Sequence, residues 1–214
     1  MLRASPSAVA FLRVRRRTLV FSLLTTFALF LSTTSEGQLL ARTVPRGLDQ
    51  LAQEADTVVH GYVTSSKVEP HSQLRNLNTV VVSIAVQDTY KGQARRNLVF
   101  RQFISNIDPQ RGTSEYQKGR ELVLLLGPVS EYGLTSPVGL DQGLFRVIRD
   151  SKGHQLAVNG RGNVGLFNSV QARAQVQGLK LSARTKSLLN QRDGSEIQLD
   201  DLADAVRNFA RHHQ

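Results

Sequence analysis

Cysteine and tryptophan are absent from this sequence of 214 residues, and aromatic residues make up only 6% of it. The absence of cysteine excludes a disulfide framework, a thiol nucleophile, a cysteine-bound zinc ion and a lipidated cysteine. Apolar residues make up 40% of the chain, and this length is enough for one domain with a core of its own. We therefore expect a small core, held by packing alone, with flexible margins.

The motifs that usually carry catalysis or metal binding are also missing. No pair of histidines has ligand spacing such as H-E-x-x-H, and no G-x-S-x-G nucleophile elbow is present. The five histidines are His60, His71, His154, His212 and His213. The sequence therefore predicts no catalytic residue and no metal ligand, and it predicts that the protein is not an enzyme.

One glycine-rich stretch, Gly160–Gly165, matches G-x-G-x-x-G in letter. A dinucleotide site needs this loop between a parallel strand and a helix, with an acidic residue about 20 residues further on. Here the stretch follows a predicted hairpin, and the next acidic residue is Asp193. We interpret it as a turn and predict no cofactor.

The net charge of +10 is unevenly distributed, since residues 1–37 hold five arginines and one acid. The interspersed charges of the remainder favour solubility, with an anionic partner as the alternative. Binding of nucleic acid would need basic residues between stacking aromatics, as at Phe100, Arg101 and Phe103. Aromatic residues at strand positions are more typical of a core, so we predict no nucleic-acid partner.

Residues 1–37 have the composition of a secretory leader. Met1–Arg17 carries five arginines, and the largely apolar run Leu19–Leu31 follows. This run is shorter than the roughly 20 apolar residues of a membrane-spanning helix, and small residues at Ser35 and Gly37 favour cleavage before Gln38. We predict a signal peptide and an extracytoplasmic location, periplasmic or secreted. An uncleaved signal anchor, touching the membrane only through Leu19–Leu31, is the alternative.

The stretch from Ala55 to Gly92 organises the rest of the chain. Two runs rich in β-branched residues, Ala55–Val63 and Thr79–Gln87, predict strands joined by the polar turn Ser65–Asn78. In the second run the even-numbered positions are all apolar and predict the face toward the core. Gly61 lies in mid-strand, where glycine indicates a bend or bulge that lets one strand serve two sheets of a barrel.

Further strands and two helices follow from the same patterns. Leu122–Leu126 is an unbroken apolar run, which predicts a strand buried on both sides. In the strand Leu98–Ile104, Val99, Arg101 and Phe103 share one face. Further strands are predicted at Gly143–Arg149 and His154–Asn159, a short helix near Leu48–Ala55, and a helix at 199–211 with Leu202, Val206 and Phe209 on its apolar stripe. Core residues include Val82, Ile84, Val123 and Leu125.

The predicted organisation is mainly β: an OB-like antiparallel barrel, closed or partly open, with a short N-terminal helix and a C-terminal helical tail. Residues 38–46 form a linker, 47–167 the barrel domain, and 168–198 a polar linker that precedes the last helix.

Three patterns resemble a known class of domain: Ala-Asp-x-Val-Val-x-Gly-x-Val in Ala55–Val63, Thr-x-x-Val-x-x-Ala-Val-x-x-x-Tyr-Lys-Gly in Thr79–Gly92, and Gly-Arg-Glu-Leu-Val-Leu-Leu-Leu in Gly119–Leu126. With Gly139–Val147 they are similar to the OB-like barrel of metalloprotease-inhibitor and netrin-type modules. They are closer still to exported bacterial proteins of that layout, often encoded near matrixin-type proteases. The resemblance implies the fold over Leu48–Phe167. The animal inhibitors chelate zinc through an N-terminal cysteine, which this chain lacks, so that mechanism is not implied.

The long polar loop Ser105–Lys118 is the predicted binding element, because unstructured loops longer than about 12 residues are usually functional or disordered. Its candidate binding residues are Ile107, Arg111 and Tyr116, and the loop Leu134–Gln142 is the second choice. We expect an exported, non-catalytic binding or inhibitor-like module whose partner is another exported protein, with a secreted protease as one candidate. The alternatives are a hydrolase of unrecognised type and a membrane-tethered envelope component.

Overall fold

The computed structural model describes residues 44–104 and 113–210 of the chain, all of them within the compact unit 43–214. The leader, most of the linker 38–46, Ile107, Arg111 and the last two histidines lie outside the described residues. No helix of the described part is long and apolar enough to cross a membrane. The signal peptide and its cleavage therefore stay predictions.

The described residues form four α-helices, seven strands and one short 3-10 helix. The helices are α1 (Leu48–Glu54), α2 (Val170–Val176), α3 (Ala183–Leu189) and α4 (Leu199–Ala210), and the 3-10 helix is Leu140–Gln142. The strands are β1 (Thr57–Pro70), β2 (Asn78–Lys91), β3 (Asn97–Phe103), β4 (Glu121–Leu126), β5 (Leu144–Arg149), β6 (Gln155–Asn159) and β7 (Ile197–Gln198).

All seven strands belong to one antiparallel sheet in the order β3-β2-β1-β4-β5-β6-β7. The mainly β class is therefore confirmed. The sheet is not closed, because β3 and β7 are its two ends, and the predicted closed barrel is not seen. The physical reason lies in the tight turn after β5: it brings β6 directly onto the edge of β5 that closure would require.

The hairpin of β1 and β2 is longer than the sequence predicts. Ser65 pairs with Ser83 and Pro70 with Asn78, so half of the predicted turn Ser65–Asn78 is strand. Its polar residues are exposed but still paired, since a ladder of backbone hydrogen bonds does not require apolar side chains. The predicted bulge is confirmed at Gly61, where the register shifts.

Gly61 is required at that bulge by a close backbone approach. A Cβ atom at this position would lie 2.3 Å from the carbonyl oxygen of Ala85 and 2.9 Å from the side chain of Ile84. Only glycine lets the two strands approach this closely.

Buried apolar residues form two clusters, one on each face of the sheet. The first lies under all four helices and includes Val123, Leu125 and Phe209. The second contains Val82 and Ile84, and none of the described residues assigned to it lies in a helix. The predicted core residues and the stripe of the last helix are confirmed as buried.

Residues 168–198, which the sequence predicts to be a polar linker, instead contain α2, α3 and β7. Their apolar side chains are few but well placed: Val170, Leu188 and Ile197 are buried in the helix-covered cluster, and Ala174 is also buried. One buried residue per helical turn anchors these short helices, and the polar remainder faces water. This segment is part of the fold.

Candidate binding cleft

Two adjacent clefts lie beside the edge strand β3, with volumes of about 360 and 550 Å³. The first runs along Leu98–Arg101, and the second begins at Gln102 and Phe103. Gly127 and Thr135 line both, so the clefts meet at these residues. The opposite wall of each cleft belongs to the segment 127–140 between β4 and β5.

That segment is held by hydrogen bonds to the end of β4. The Val138 N–H donates to the carbonyl of Leu125 (2.8 Å), and the Gly127 N–H donates to that of Ser136 (3.0 Å). Pro137 forms an isolated antiparallel β-bridge with Leu126. The cleft walls are thus built from defined structure.

Thr135 connects this segment to β3. Its N–H donates to the carbonyl of Arg101 at 2.9 Å, and its hydroxyl donates to the carbonyl of Gly127 at 2.7 Å. Because Thr135 is buried, these bonds are shielded from water.

The backbone of β3 presents polar groups toward the first cleft. Alternate residues of an antiparallel edge strand point their N–H and C=O groups toward the neighbouring strand or away from it. The Ile104 N–H donates to Asn78 at the β2 side (3.0 Å), whereas the carbonyl of Arg101 is used on the outer side. The outer groups are therefore those of the odd-numbered residues, and no described residue bonds the outer groups of Val99.

Each cleft carries one exposed apolar side chain from β3 and one from the facing segment. Val99 and Val129 border the first cleft, and Phe103 and Leu140 border the second. All four side chains are between 49% and 67% exposed. Exposed apolar groups around a concave surface are typical of a binding site.

The charges near the clefts are partly fixed by ion pairs. Arg101 is held by Glu69 at 2.6 Å and donates to the hydroxyl of Thr79 at 2.8 Å. At the second cleft Arg46 pairs with Glu54 at 3.0 Å.

The first cleft holds opposite charges on Arg95 and Asp56. Asp56 also acts on Lys91, whose pKa is lowered by burial against that attraction. Arg95 makes no ion pair with a described residue, so it is the cation most available to a ligand.

Tyr116, predicted to be an interface residue, is a core residue in the structure, with only 2% of its surface exposed. Its ring packs edge-on against Phe100 with the centroids 5.6 Å apart, and its hydroxyl donates to Gln102 at 2.6 Å. Burial raises the pKa of this phenol above its ordinary value. The expectation of a half-wet interface ring is therefore wrong at this position, whereas Ile107 and Arg111 lie outside the described residues.

The second-choice loop, Leu134–Gln142, does line a cleft. The cleft residues that sequence reasoning missed are Val99 and Val129, and it included Thr135 only as part of the loop Leu134–Gln142. The sequence groups Val99, Arg101 and Phe103 on one strand face, but the exposure of that face depends on where the segment 127–140 lies, which local sequence does not encode.

A separate polar cluster surrounds His60 on the helix-covered face. The Nε2 atom of buried His60 is 3.0 Å from Oε1 of buried Glu121, which also accepts a hydrogen bond from Gln155 at 2.7 Å. The second oxygen of Glu121 lies 3.2 Å from Arg149, and Nδ1 of His60 lies 3.6 Å from Asp88. The hydrogen bond with Tyr62 and the charge of Glu121 raise the pKa of Arg149. This cluster brings together polar side chains from five strands, β1, β2, β4, β5 and β6.

The other described histidines also have structural partners. His71 accepts hydrogen bonds at Nδ1 from Gln73 and Leu74, and its Nε2 meets the carbonyl of Tyr132 at 2.9 Å. It therefore links the hairpin turn to the segment 127–140. Within residues 44–104 and 113–210, no group of three or more metal-ligating side chains is placed to hold an ion.

Comparison of the chain with protein-family models and with curated proteins finds no match in either.

Proposed function

We propose that this chain is an exported, non-catalytic binding module that receives another exported protein at the two clefts beside β3. The observation that carries this proposal is the set of four exposed apolar side chains around the clefts. These side chains stand on a hydrogen-bonded frame, so binding them would cost little ordering of the backbone.

An OB-like arrangement for the strands β3-β2-β1-β4-β5 is part of the same proposal. It is supported by the second cluster, whose described members lie in no helix, and by the bulges that bend β1. The bond from Thr135 to Arg101 also supports it, because it joins the segment after β4 to the free edge of β3. An inhibitor-like role toward a secreted protease is supported only by the resemblance of the sequence to metalloprotease-inhibitor and netrin-type modules.

Site-specific crosslinking tests the proposed interface. The photo-crosslinker p-benzoylphenylalanine is placed at Val129 or at Phe103 in a bacterium that exports the chain, with Ile148 as the matched control. Ile148 is also a half-exposed apolar residue, but it lies on β5 away from the clefts. We expect one exported polypeptide to be captured from both cleft positions and not from Ile148. An equal yield from Ile148, or no adduct from the clefts, would contradict the proposal.

Export itself is tested by N-terminal sequencing of the mature protein, which should begin near Gln38. An intact Met1 in the cytoplasmic fraction would refute export, and an intact Met1 in the membrane fraction would favour the tethered envelope component instead.

The hydrolase alternative has one observation in its favour, the buried pair of His60 and Glu121. The Nδ1 atom of His60 has no hydrogen-bond partner among the described residues. A screen of ester, peptide and glycan substrates tests this alternative. Turnover that survives purification and disappears in His60→Gln would establish it over the binding module.

A further inference from the structure

We propose that the outer edge of β3, from Asn97 to Val99, pairs with an extended segment of the partner polypeptide, which adds an antiparallel strand to the sheet in the first cleft. This inference rests on the proposed function and specifies how its partner is recognised. It concerns the backbone of the edge strand, whereas the crosslinking experiment concerns the apolar side chains.

The edge already accepts a backbone partner on its outer side. The N–H of Thr135 donates a hydrogen bond to the carbonyl of Arg101 at 2.9 Å. Two residues earlier, the outer N–H and C=O of Val99 face the first cleft, and a strand added to a sheet edge uses such groups in pairs. The cleft, of about 360 Å³, lies directly along Leu98–Arg101.

The side chains beside this edge define what the added segment carries. Val99 and Val129 flank the cleft, so an apolar side chain of the incoming strand would lie between them. Alternate residues of a strand face opposite sides of the sheet, and every strand pair in this sheet is antiparallel. An antiparallel incoming strand therefore has its C-terminal end beside Arg95.

Charge selects an acidic partner over a second copy of this chain. The stretch Gln93–Phe103 contains three arginines and no acidic residue. Arg101 is paired with Glu69, so two copies joined edge to edge would bring Arg95 and Arg96 of both chains, four arginines, to one edge, and like charges on an edge oppose such pairing. An incoming segment with acidic residues at its C-terminal end would instead meet Arg95, which lines the first cleft together with Asp56.

Substitution of Val99 separates strand addition from side-chain contact. In Val99→Pro the outward N–H is removed, but no bond of the β2–β3 ladder is lost, because edge strands accept proline where the N–H faces solvent. In the matched control, Val99→Ile, the N–H and a β-branched apolar side chain are both retained. Thermal unfolding of the full chain checks that each variant folds.

The probe is the peptide acetyl-Val-Thr-Val-Thr-Val-Asp-Asp-amide with a fluorescent label, and anisotropy measures its affinity. We expect the affinity of Val99→Pro to be at least tenfold lower than that of Val99→Ile, because only the proline variant lacks the outward N–H. Replacing both aspartates of the peptide by lysine should also weaken binding, because the acidic end lies beside Arg95.

A second measurement leaves the protein unchanged. One peptide is methylated on the amide nitrogens of its valines and another on those of its threonines. Since alternate residues of a strand face β3, only one of the two methylated peptides should lose binding.

Three results would overturn strand addition: the two methylated peptides bind with equal affinity, Val99→Pro binds the probe as tightly as Val99→Ile, or the parent chain does not bind the probe. A concentration-dependent dimer of the parent chain that Val99→Pro abolishes would assign the edge to a second copy instead. If these tests exclude strand addition but the crosslinks from the clefts are still observed, the partner binds at the clefts without pairing with β3.

Discussion

The ion pair between Asp49 and Arg173 provides a sharp test of the helical layer. Asp49 on α1 is 1% exposed, and Arg173 on α2 holds both of its carboxylate oxygens, with Nε–Oδ2 at 2.6 Å and Nη2–Oδ1 at 2.7 Å. The hydrogen bonds to Asp49 raise the pKa of Arg173. Arg173 lies in the segment that the sequence predicts to be a linker, so its removal measures whether that segment stabilises the fold.

The two ends of this pair should respond unequally. In Arg173→Gln the carboxylate of Asp49 stays buried without a cation, and the loss of one partner of a buried pair costs about 3–5 kcal/mol. In Asp49→Asn the remaining guanidinium is 30% exposed and can be hydrated, so we expect a smaller cost of about 1.5–3 kcal/mol, the range for a hydrogen bond to a charged group. The double variant should cost less than the sum of the two, because the pair acts as a unit.

Urea unfolding followed by circular dichroism measures these free energies, with Arg184→Gln as the control. Arg184 on α3 also pairs with an aspartate, Asp201, but its side chain is more exposed, so its loss should cost less than about 1 kcal/mol. If Arg173→Gln cost under about 0.5 kcal/mol, or no more than Arg184→Gln, α2 would not be docked as described.

Three further predictions concern the sheet. Leu125→Ala, in a strand buried on both faces, should lower the free energy of unfolding by about 2–5 kcal/mol; a loss below about 0.5 kcal/mol in the same urea assay would mean that β4 is not central. Gly61→Ala should destabilise the chain far more than an alanine on an exposed strand position, because its Cβ would lie 2.3 Å from the carbonyl oxygen of Ala85, and an unchanged melting temperature would contradict that close approach. The hydrogen bond from His154 lowers the pKa of Asp150, so the stability of this hairpin is present above the ordinary aspartate pKa and is lost as pH falls through the lower folded value; NMR titration should show the lowered pKa, and His154→Ala should raise it.

The candidate site was only partly predictable, because it joins residues far apart in the chain. The sequence singles out the loop Leu134–Gln142, which lines the second cleft, and groups Val99 with Phe103 on one strand face. It gives no sign that Thr135 bonds Arg101 or that the ring of Tyr116 is buried. These features follow from the path of the segment 127–140, and several distant elements decide that path together.

The strands and their inward faces were determined by the sequence itself. Runs of β-branched and aliphatic residues bounded by glycine favour extended backbone, and alternation assigns one face to the core. For this reason Val82, Ile84 and Val123 could be predicted as buried from local pattern alone. Gly61 could likewise be predicted as a bulge, because glycine in mid-strand has a cost that only backbone geometry explains.

The tertiary structure alone decided which edges remain free and which polar segments are part of the fold. β6 takes the edge of β5, so the sheet stays open, and that outcome depends on competition between strands that are distant in sequence. The helices α2 and α3 each bury only a few apolar residues, so a local pattern cannot predict that they pack on the sheet. Their packing is stabilised by contacts with the helix-covered cluster and, for α2, by the ion pair between Arg173 and Asp49. Each such contact needs two residues that are distant in sequence, so the local sequence around either residue does not predict it.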